Sequence, residues 1–342
     1  MKQVFLLMDV GGTHTRARLV QAGRDMLKQP DIITETSAVI SDKAGLLDII
    51  NDMLAQQDRA GIFSVLSFAG PVLADRVAMT NWRQQDEISL ADLEALGLAA
   101  NRTTFINDME AAALCLIAHK SGALELQTEC LYAAGKEVDK HFNNAILIIP
   151  GTGVGVAAIV MPDRHGHPAT AAHVSCELQH TSVPYLGDAY AGLVAALQRR
   201  LGKKVLSWED IVSGKGLENI YHCLHLTGCE NGGYDENADA AEIAGRALVG
   251  NDKACEAALE FYYHAAGALT QLVALAFQPF AGIYLGGGTT AKNISFIRRS
   301  SYVYGLQDNA IRKGLLQSFP VYLVPEYMNL NGTLYLASRG YA

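Results

Sequence analysis

Two glycine-rich patterns and one acid carry most of the chemistry that can be read from this chain. Asp9-Val10-Gly11-Gly12-Thr13 and Pro150-Gly151-Thr152-Gly153-Val154-Gly155 each follow one short apolar run and precede another. A turn of this kind gathers backbone N–H groups and a hydroxyl with no side chain in the way, so a phosphate can rest on the backbone. One such turn is ordinary hairpin geometry. Two of them, one with an acid at the strand end and one without, fit a nucleoside triphosphate held between two lobes. The chain has no Gly-x4-Gly-Lys-Ser/Thr sequence and no strand–GxGxxG–helix order, which excludes a P-loop and a dinucleotide fingerprint. The acid is Asp108, at the end of the apolar stretch Thr103–Ile106 and ahead of an alanine-rich segment. A carboxylate there can reach into a cleft, although Asp is also a favoured helix N-cap.

The elements that must hold these residues alternate between strand and helix patterns. Val4–Met8 reads as a strand covered on both faces, and Thr15–Val20 as its partner across the first turn. Strands are also predicted at Ile32–Thr34, Ile62–Phe68 and Thr103–Ile106. The spacing of Leu47, Ile50 and Leu54 predicts a helix, and Leu90–Leu96 is a second, with Ser89 and Asp92 as its capping box and Gly97 as its stop. Glu110–His119 is a third. About 140 residues after the first occurrence the opening pattern returns: a strand at Ala145–Ile149, the turn, and a strand at Val156–Met161. The repeat implies two similar α/β halves with a cleft between them. The second half is helix-rich from Leu186 to Phe277, with a loop at Asn231–Asp239. It closes with a strand at Ile283–Leu285, the turn Gly286-Gly287-Gly288, and a strand at Val321–Val324.

Half of the 342 residues are hydrophobic and 18% are charged, which excludes a disordered chain and gives enough length for two domains. Against 35 acidic residues stand 27 basic ones, and the net charge of −8 argues against a nucleic-acid or anionic-membrane partner. Six scattered cysteines without a CxxC pair read as thiols in a reducing compartment, and a cytoplasmic location is expected. Cys223, His225 and Cys229, with His222 beside them, have the spacing of metal ligands. No second cluster completes a tetrahedral set, so an ordinary helix and turn is the expected reading. Residues 265–291 carry no charge, but Gln271, Gln278 and Pro279 divide them into a buried helix and a short strand rather than a membrane span.

In chain order, several segments together resemble the bacterial glucokinases, sugar kinases of the actin/Hsp70/hexokinase superfamily. They are Asp9–Arg16, Phe68-Ala69-Gly70-Pro71, Met79-Thr80-Asn81-Trp82, Ile106–Ala111, Gly151–Gly155, Leu206–Leu217, Ile283–Gly288 and Asn331-Gly332-Thr333. The resemblance spans nearly the whole chain. It implies two related lobes with ribonuclease H-like mixed sheets flanked by helices, an actin-like ATPase architecture with a central cleft. The implied division is a small lobe of residues 1–108 plus 328–342 and a large lobe of 109–327. The implied reaction is ATP-dependent phosphorylation of glucose at its 6-hydroxyl, giving glucose 6-phosphate and ADP, and a homodimer is implied as well.

By the same resemblance Asp108 matches the base that orients the sugar hydroxyl and takes its proton. Asp9 matches the acid near Mg²⁺, reached through water, although Asp9 capping its own turn is the simpler alternative. Gly11, Gly12, Thr13, Gly151, Thr152 and Gly153 would cradle the phosphates of ATP, with Gly286, Gly287 and Gly288 beside the adenosine. Asn81, Asn107, Glu177, His180 and Glu209, together with Asp108, match sugar-contacting positions. The last motif departs from the family pattern E-x-G-H: Glu177-Leu178-Gln179-His180 has Gln in place of Gly, and a register through His173 would place Thr170 where Glu belongs. Taken alone, His180 reads as a hydrogen-bonded core histidine. A kinase for another hexose or an amino sugar, and a sugar- or nucleotide-binding sensor without catalysis, are the alternative readings. No zinc-type Cys cluster follows His180 and no helix-turn-helix precedes the first strand, so neither a metal-structured nor a DNA-binding relative is expected.

Overall fold

The computed structural model describes residues 2–12, 14–79, 82, 86–134, 144–161, 170–226, 234–324 and 328–341. The chain separates into two compact units, Met1–Leu126 with His167–His173 and Tyr327–Ala342, and Gln127–Gly166 with Val174–Glu326.

In the first unit β1 (Val4–Val10), β2 (His14–Gln21), β3 (Asp31–Val39), β4 (Phe63–Phe68) and a fifth strand, Thr103–Asn107, make one sheet in the order β3-β2-β1-β4-(103–107). β1 to β3 form an antiparallel meander, and β4 and 103–107 then add in parallel. Strands covered on both faces need apolar residues throughout, and residues 5–8 and 10 of β1 are fully buried. β5 (Val72–Leu73), β6 (Arg76–Ala78) and β7 (Glu87–Ser89) form a separate small sheet, and the strand 103–107 is accordingly β8. α1 (Lys43–Met53) and α2 (Leu90–Ala95) pack Leu46, Ile50 and Leu93 into the same core as Leu6 and Leu66. The predicted capping box of α2 is present: Ser89 accepts from the Asp92 N–H and Asp92 accepts from the Ser89 N–H. α3 (Asp108–Lys120) and the C-terminal helix (Asn329–Tyr341) cross with their backbones in contact. A Cβ on Gly332 would stand 1.7 Å from the carbonyl oxygen of Ala111.

The second unit repeats the wiring. β9 (Glu129–Tyr132), β10 (Ala145–Pro150), β11 (Val154–Val160), β12 (Ala172–Ser175, its first two residues counted with the first unit), β13 (Gly282–Leu285) and β14 (Val321–Leu323) lie in the order β12-β11-β10-β13-β14-β9. An antiparallel hairpin, β10–β11, is again followed by two parallel strands. α4 (Asp188–Leu201), α5 (Gly214–Leu226), α6 (Ala240–Val249) and the long α7 (Lys253–Phe277) supply most of its core, with α8 (Gly288–Ile297), α9 (Tyr302–Gln307) and α10 (Lys313–Leu316) completing it. Glycines let α7 and α9 touch: a Cβ on Gly267 would sit 2.1 Å from Tyr302 O, and one on Gly305 2.4 Å from His264 O.

The mixed sheets flanked by helices agree with the fold expected from the sequence, with three differences. First, α3 lies in the first unit because it packs on the C-terminal helix, so a division after Asp108 falls inside that unit. Second, the strand-end turn is only Gly286 and Gly287, because Gly288 already opens helix α8. Third, the two glycine turns are unequal. Val10 pairs with Thr15, leaving residues 11–14 in the first turn, whereas Pro150 pairs with Val154, leaving only 151–153 in the second. α7 ends at Phe277 and Gln278 adopts a left-handed conformation, so the uncharged stretch divides as expected. Among the described residues no helix is long and apolar enough to cross a membrane.

Candidate active site

In the first unit the parallel register does the positioning. Asp9 on β1 stands beside Ser67 on β4, and Ser67 beside Ile106 on β8, so the C-terminal ends of three strands are level. This end of a parallel sheet is where ligands of open α/β folds bind. Asp9 is 8% exposed. Its Oδ1 accepts from Ser67 Oγ at 3.3 Å and from Asn329 Nδ2 at 2.8 Å, and its Oδ2 lies 3.7 Å from Arg16 Nη1. Among the described residues its side-chain partners come from three other elements. Burial raises the Asp9 carboxyl above the ordinary carboxylate range, with Asn329, Arg16 and Ser67 opposing the shift.

Asp108 is the first residue of α3, and the N-cap is its neighbour. Asn107 Oδ1 accepts from the Met109 N–H at 2.9 Å while its Nδ2 donates to Gly70 O at 3.0 Å. The Asn107 amide therefore has an engaged atom at each end. Asp108 Oδ1 also accepts from the Met109 N–H, at 2.8 Å. Burial first, and then the negative charge of Asp9, push the Asp108 carboxyl up to about 6. Two carboxylates that repel each other at the end of a sheet favour a neighbouring cation. Glu110, also in the first turn of α3, is 3.4 Å from His173 Nε2, which accounts for the histidine of the discarded register.

In the second unit the turn after β10 closes with Gly151 N–H donating to Gly153 O at 2.7 Å. The first turn closes similarly, with Gly11 N–H donating to His14 O at 3.0 Å. These two amides are consumed by the turns themselves. The N–H groups of Gly12, Thr152 and Gly153 have no partner among the described residues and remain for a ligand. α5 begins against the second turn, Gly214 N–H donating to Gly151 O at 2.8 Å, so a helix N-terminus adds its dipole there. The Glu209 carboxylate lies against the same turn: a Cβ on Gly153 would meet its Oε1 at 2.3 Å. His180 sits between two carboxylates, Nδ1 3.3 Å from Glu209 Oε2 and Nε2 3.3 Å from Glu177 Oε2. Its side chain is 54% exposed, so it is not the core histidine that its type alone suggests. The glycine turn, Glu209, His180 and Glu177 form one continuous cluster, able to offer donors and acceptors to adjacent hydroxyls.

Gly286 is buried at the end of β13, and Gly287 holds φ +90° where a Cβ would meet Ile149 Cγ2 at 2.7 Å. Only glycine fits that close approach. Thr13, Asn81 and Cys229 lie outside the described residues. Cys223 and His225 fall on α5, where His225 packs on the Tyr221 ring, and no group of three or more His, Cys, Asp or Glu able to hold a metal occurs among the described residues. Sequence reasoning missed Asn329 and the part played by Ser67. Asn329 is 320 positions from the acid it contacts, and nothing local marks it.

The family model described as Glucokinase matches residues 6–338. The glucokinase of Photorhabdus laumondii is 28% identical over 324 residues, covering 93% of this chain and 92% of the relative. Among solved structures, glucokinase from Balamuthia mandrillaris in complex with glucose superposes with a TM-score of 0.85 at 19% identity, over 98% of this chain and 94% of that one. A ROK family glucokinase from Streptomyces griseus, in complex with glucose and AMPPNP, gives 0.63 at 20% identity, over 98% of this chain and all of the other. At such identities the two structures speak for the fold alone.

Proposed function

Because the chain belongs to the glucokinase family, we propose that it transfers the γ-phosphoryl group of ATP to the 6-hydroxyl of glucose, giving glucose 6-phosphate for glycolysis. The observation that carries this reading is Asp108, half-buried as the first residue of α3 just past the end of β8, close enough to Asp9 to feel its charge, with its helix already capped by Asn107. A loose phosphoryl-transfer transition state asks for positioning more than basicity. Asp108 orients the hydroxyl and takes its proton as the new P–O bond forms. The Asn107 amide, held by Met109 and Gly70, keeps that end of the site rigid. In the second unit Glu177, His180 and Glu209 take sugar hydroxyls, and the turn at 151–153 takes phosphate oxygens.

The donor set at Asp9 fits Mg²⁺. A single buried carboxylate with one oxygen held by Ser67 and Asn329 suits a hard cation that keeps its waters and the nucleotide oxygens as its other ligands. Bound there, Mg²⁺ supplies charge neutralisation at the phosphates. Asp9 orients its shell, and Ser67 and Asn329 orient Asp9.

Described cysteines 115, 130, 176, 223 and 255 are free thiols, which supports a reducing, cytoplasmic location. By resemblance the enzyme is a homodimer acting on a small sugar rather than on nucleic acid or a membrane.

The test is a product-detected assay across glucose, mannose, fructose and N-acetylated hexosamines at equal concentration. Glucose is expected to give the largest kcat/KM, and a clear preference for any other sugar overturns the assignment. A pH profile adds a second check. Asp108 accepts a proton only when ionised, and its carboxyl stands at about 6. In the free enzyme kcat/KM is expected to be level from pH 7 to 8 and to fall about tenfold per unit below pH 6. An acid limb centred near 4 would show that burial and Asp9 do not raise this carboxyl in the free enzyme.

A further inference from the structure

Gln179 is 8% exposed, yet the residues it serves are at the surface: the side chains of Glu177 and His180 are 79% and 54% exposed. Its Nε2 donates to Glu177 Oε2 at 2.6 Å, and its backbone carbonyl accepts from the Glu209 N–H at 3.2 Å. Its side chain is therefore tied to the Glu177 carboxylate and its backbone to the Glu209 backbone, the two residues whose carboxylates flank His180. Its Oε1 is buried with no donor among the described residues. The amide cannot simply be turned round, since that would set its oxygen against a carboxylate oxygen. A buried amide spent on an exposed carboxylate, with its other half unsatisfied, is a poor way to stabilise a fold. What the bond does achieve is to fix a long surface side chain in one place, beside His180 Nε2.

We propose that Gln179 is a positioning residue for the sugar: its amide clamps the Glu177 carboxylate before the sugar arrives and thereby sharpens selectivity among hexoses. This rests on glucose being the substrate. An unclamped glutamate loses rotamer freedom when a hydroxyl binds, and that loss weakens affinity; a clamped one has already lost it. A fixed acceptor also serves a hydroxyl from one direction, so a hexose with that hydroxyl inverted finds no partner. A freed carboxylate follows either epimer.

Gln179→Leu tests the clamp because it removes the donor to Glu177 and the unsatisfied oxygen together. Glucose Kd by calorimetry is expected to rise about tenfold, and the preference in kcat/KM for glucose over at least one of its C2, C3 and C4 epimers to fall several-fold. The value of kcat should stay within about threefold, and the thermal midpoint should hold or rise. A purely structural role predicts a lower midpoint accompanying the lost affinity, and that outcome, or an unchanged Kd, overturns the proposal. If the leucine variant does not fold, Gln179→Met, unbranched and without the donor, is read against the same expectations. Wild-type protein that binds glucose without phosphorylating it would refute the kinase assignment and leave the clamp to be judged by Kd. Wild type that phosphorylates glucose beside an unaltered Gln179→Leu would refute the clamp alone. Wild type that does not bind glucose refutes both.

Discussion

Asp108→Asn is expected to lower kcat about a thousandfold while glucose Kd moves by no more than about twofold. The amide keeps the shape of the carboxyl and an oxygen for the Met109 N–H, and Asn107 still caps α3, so the backbone that presents residue 108 stays where it is. What disappears is the proton acceptor, whose removal costs roughly 10²–10⁴ in rate. Stability should move the other way. The Asp108 carboxyl is raised to about 6 from an ordinary 3.8, so between those values the folded protein holds a proton that the unfolded chain has released. The wild type therefore loses stability as pH rises through that window and stays without it at neutral pH. Asparagine carries no buried charge and no repulsion toward Asp9, and the thermal midpoint of Asp108→Asn at pH 7.5 should equal or exceed that of wild type. Steady-state kinetics with calorimetric glucose titration and a melting series from pH 4 to 8 check both halves. Turnover at the wild-type rate would remove Asp108 from the role of base.

Gly332→Ala carries the largest expected loss of stability. The added methyl would lie 1.7 Å from Ala111 O and 2.6 Å from its carbonyl carbon, and backbone cannot rotate aside as a side chain can. The C-terminal helix must lift off α3, at a cost of about 2–4 kcal/mol in the overpacked crossing. For a unit of this size that is roughly 5–10 °C in melting temperature. The displacement also reaches the chemistry, because Ala111 is one turn beyond Asp108 and Asn329, which donates to Asp9, opens the helix that would move. Turnover should therefore fall even in the fraction that stays folded. Gly340→Ala is the control, since nothing lies within 4 Å of its Cβ position and that end of the helix is exposed. Equal melting temperatures for the two alanine variants would show that the close crossing does not govern stability.

The candidate site was legible wherever its residues are strung along a strand end and a turn. Asp9, Asp108 and the glycine turns announce themselves because local chemistry explains them: acids at strand ends, missing Cβ atoms where a backbone must come close. Asn107 was legible by resemblance, but its capping of α3 through Met109 was not, since Asp and Asn are both good caps and sequence cannot choose between neighbours. His180 shows the opposite limit. Its residue type points to the core, and only the fold sets it between Glu177 and Glu209 at the surface.

By itself the sequence determined the alternation of strands and helices, the repeated strand–turn–strand unit and the family, because periodicity, turn residues and ordered motifs are properties of short stretches. The tertiary structure alone decided that α3 belongs with the C-terminal helix, that the two glycine turns differ by a residue, that Asn329 holds Asp9 and that Gln179 holds Glu177. Each of these depends on backbone packing, strand register or one particular hydrogen bond, and two of them join residues more than two hundred positions apart. Hydrophobic pattern specifies which face of an element is buried. It does not specify which distant element will meet that face, and that meeting set the surroundings of both acids.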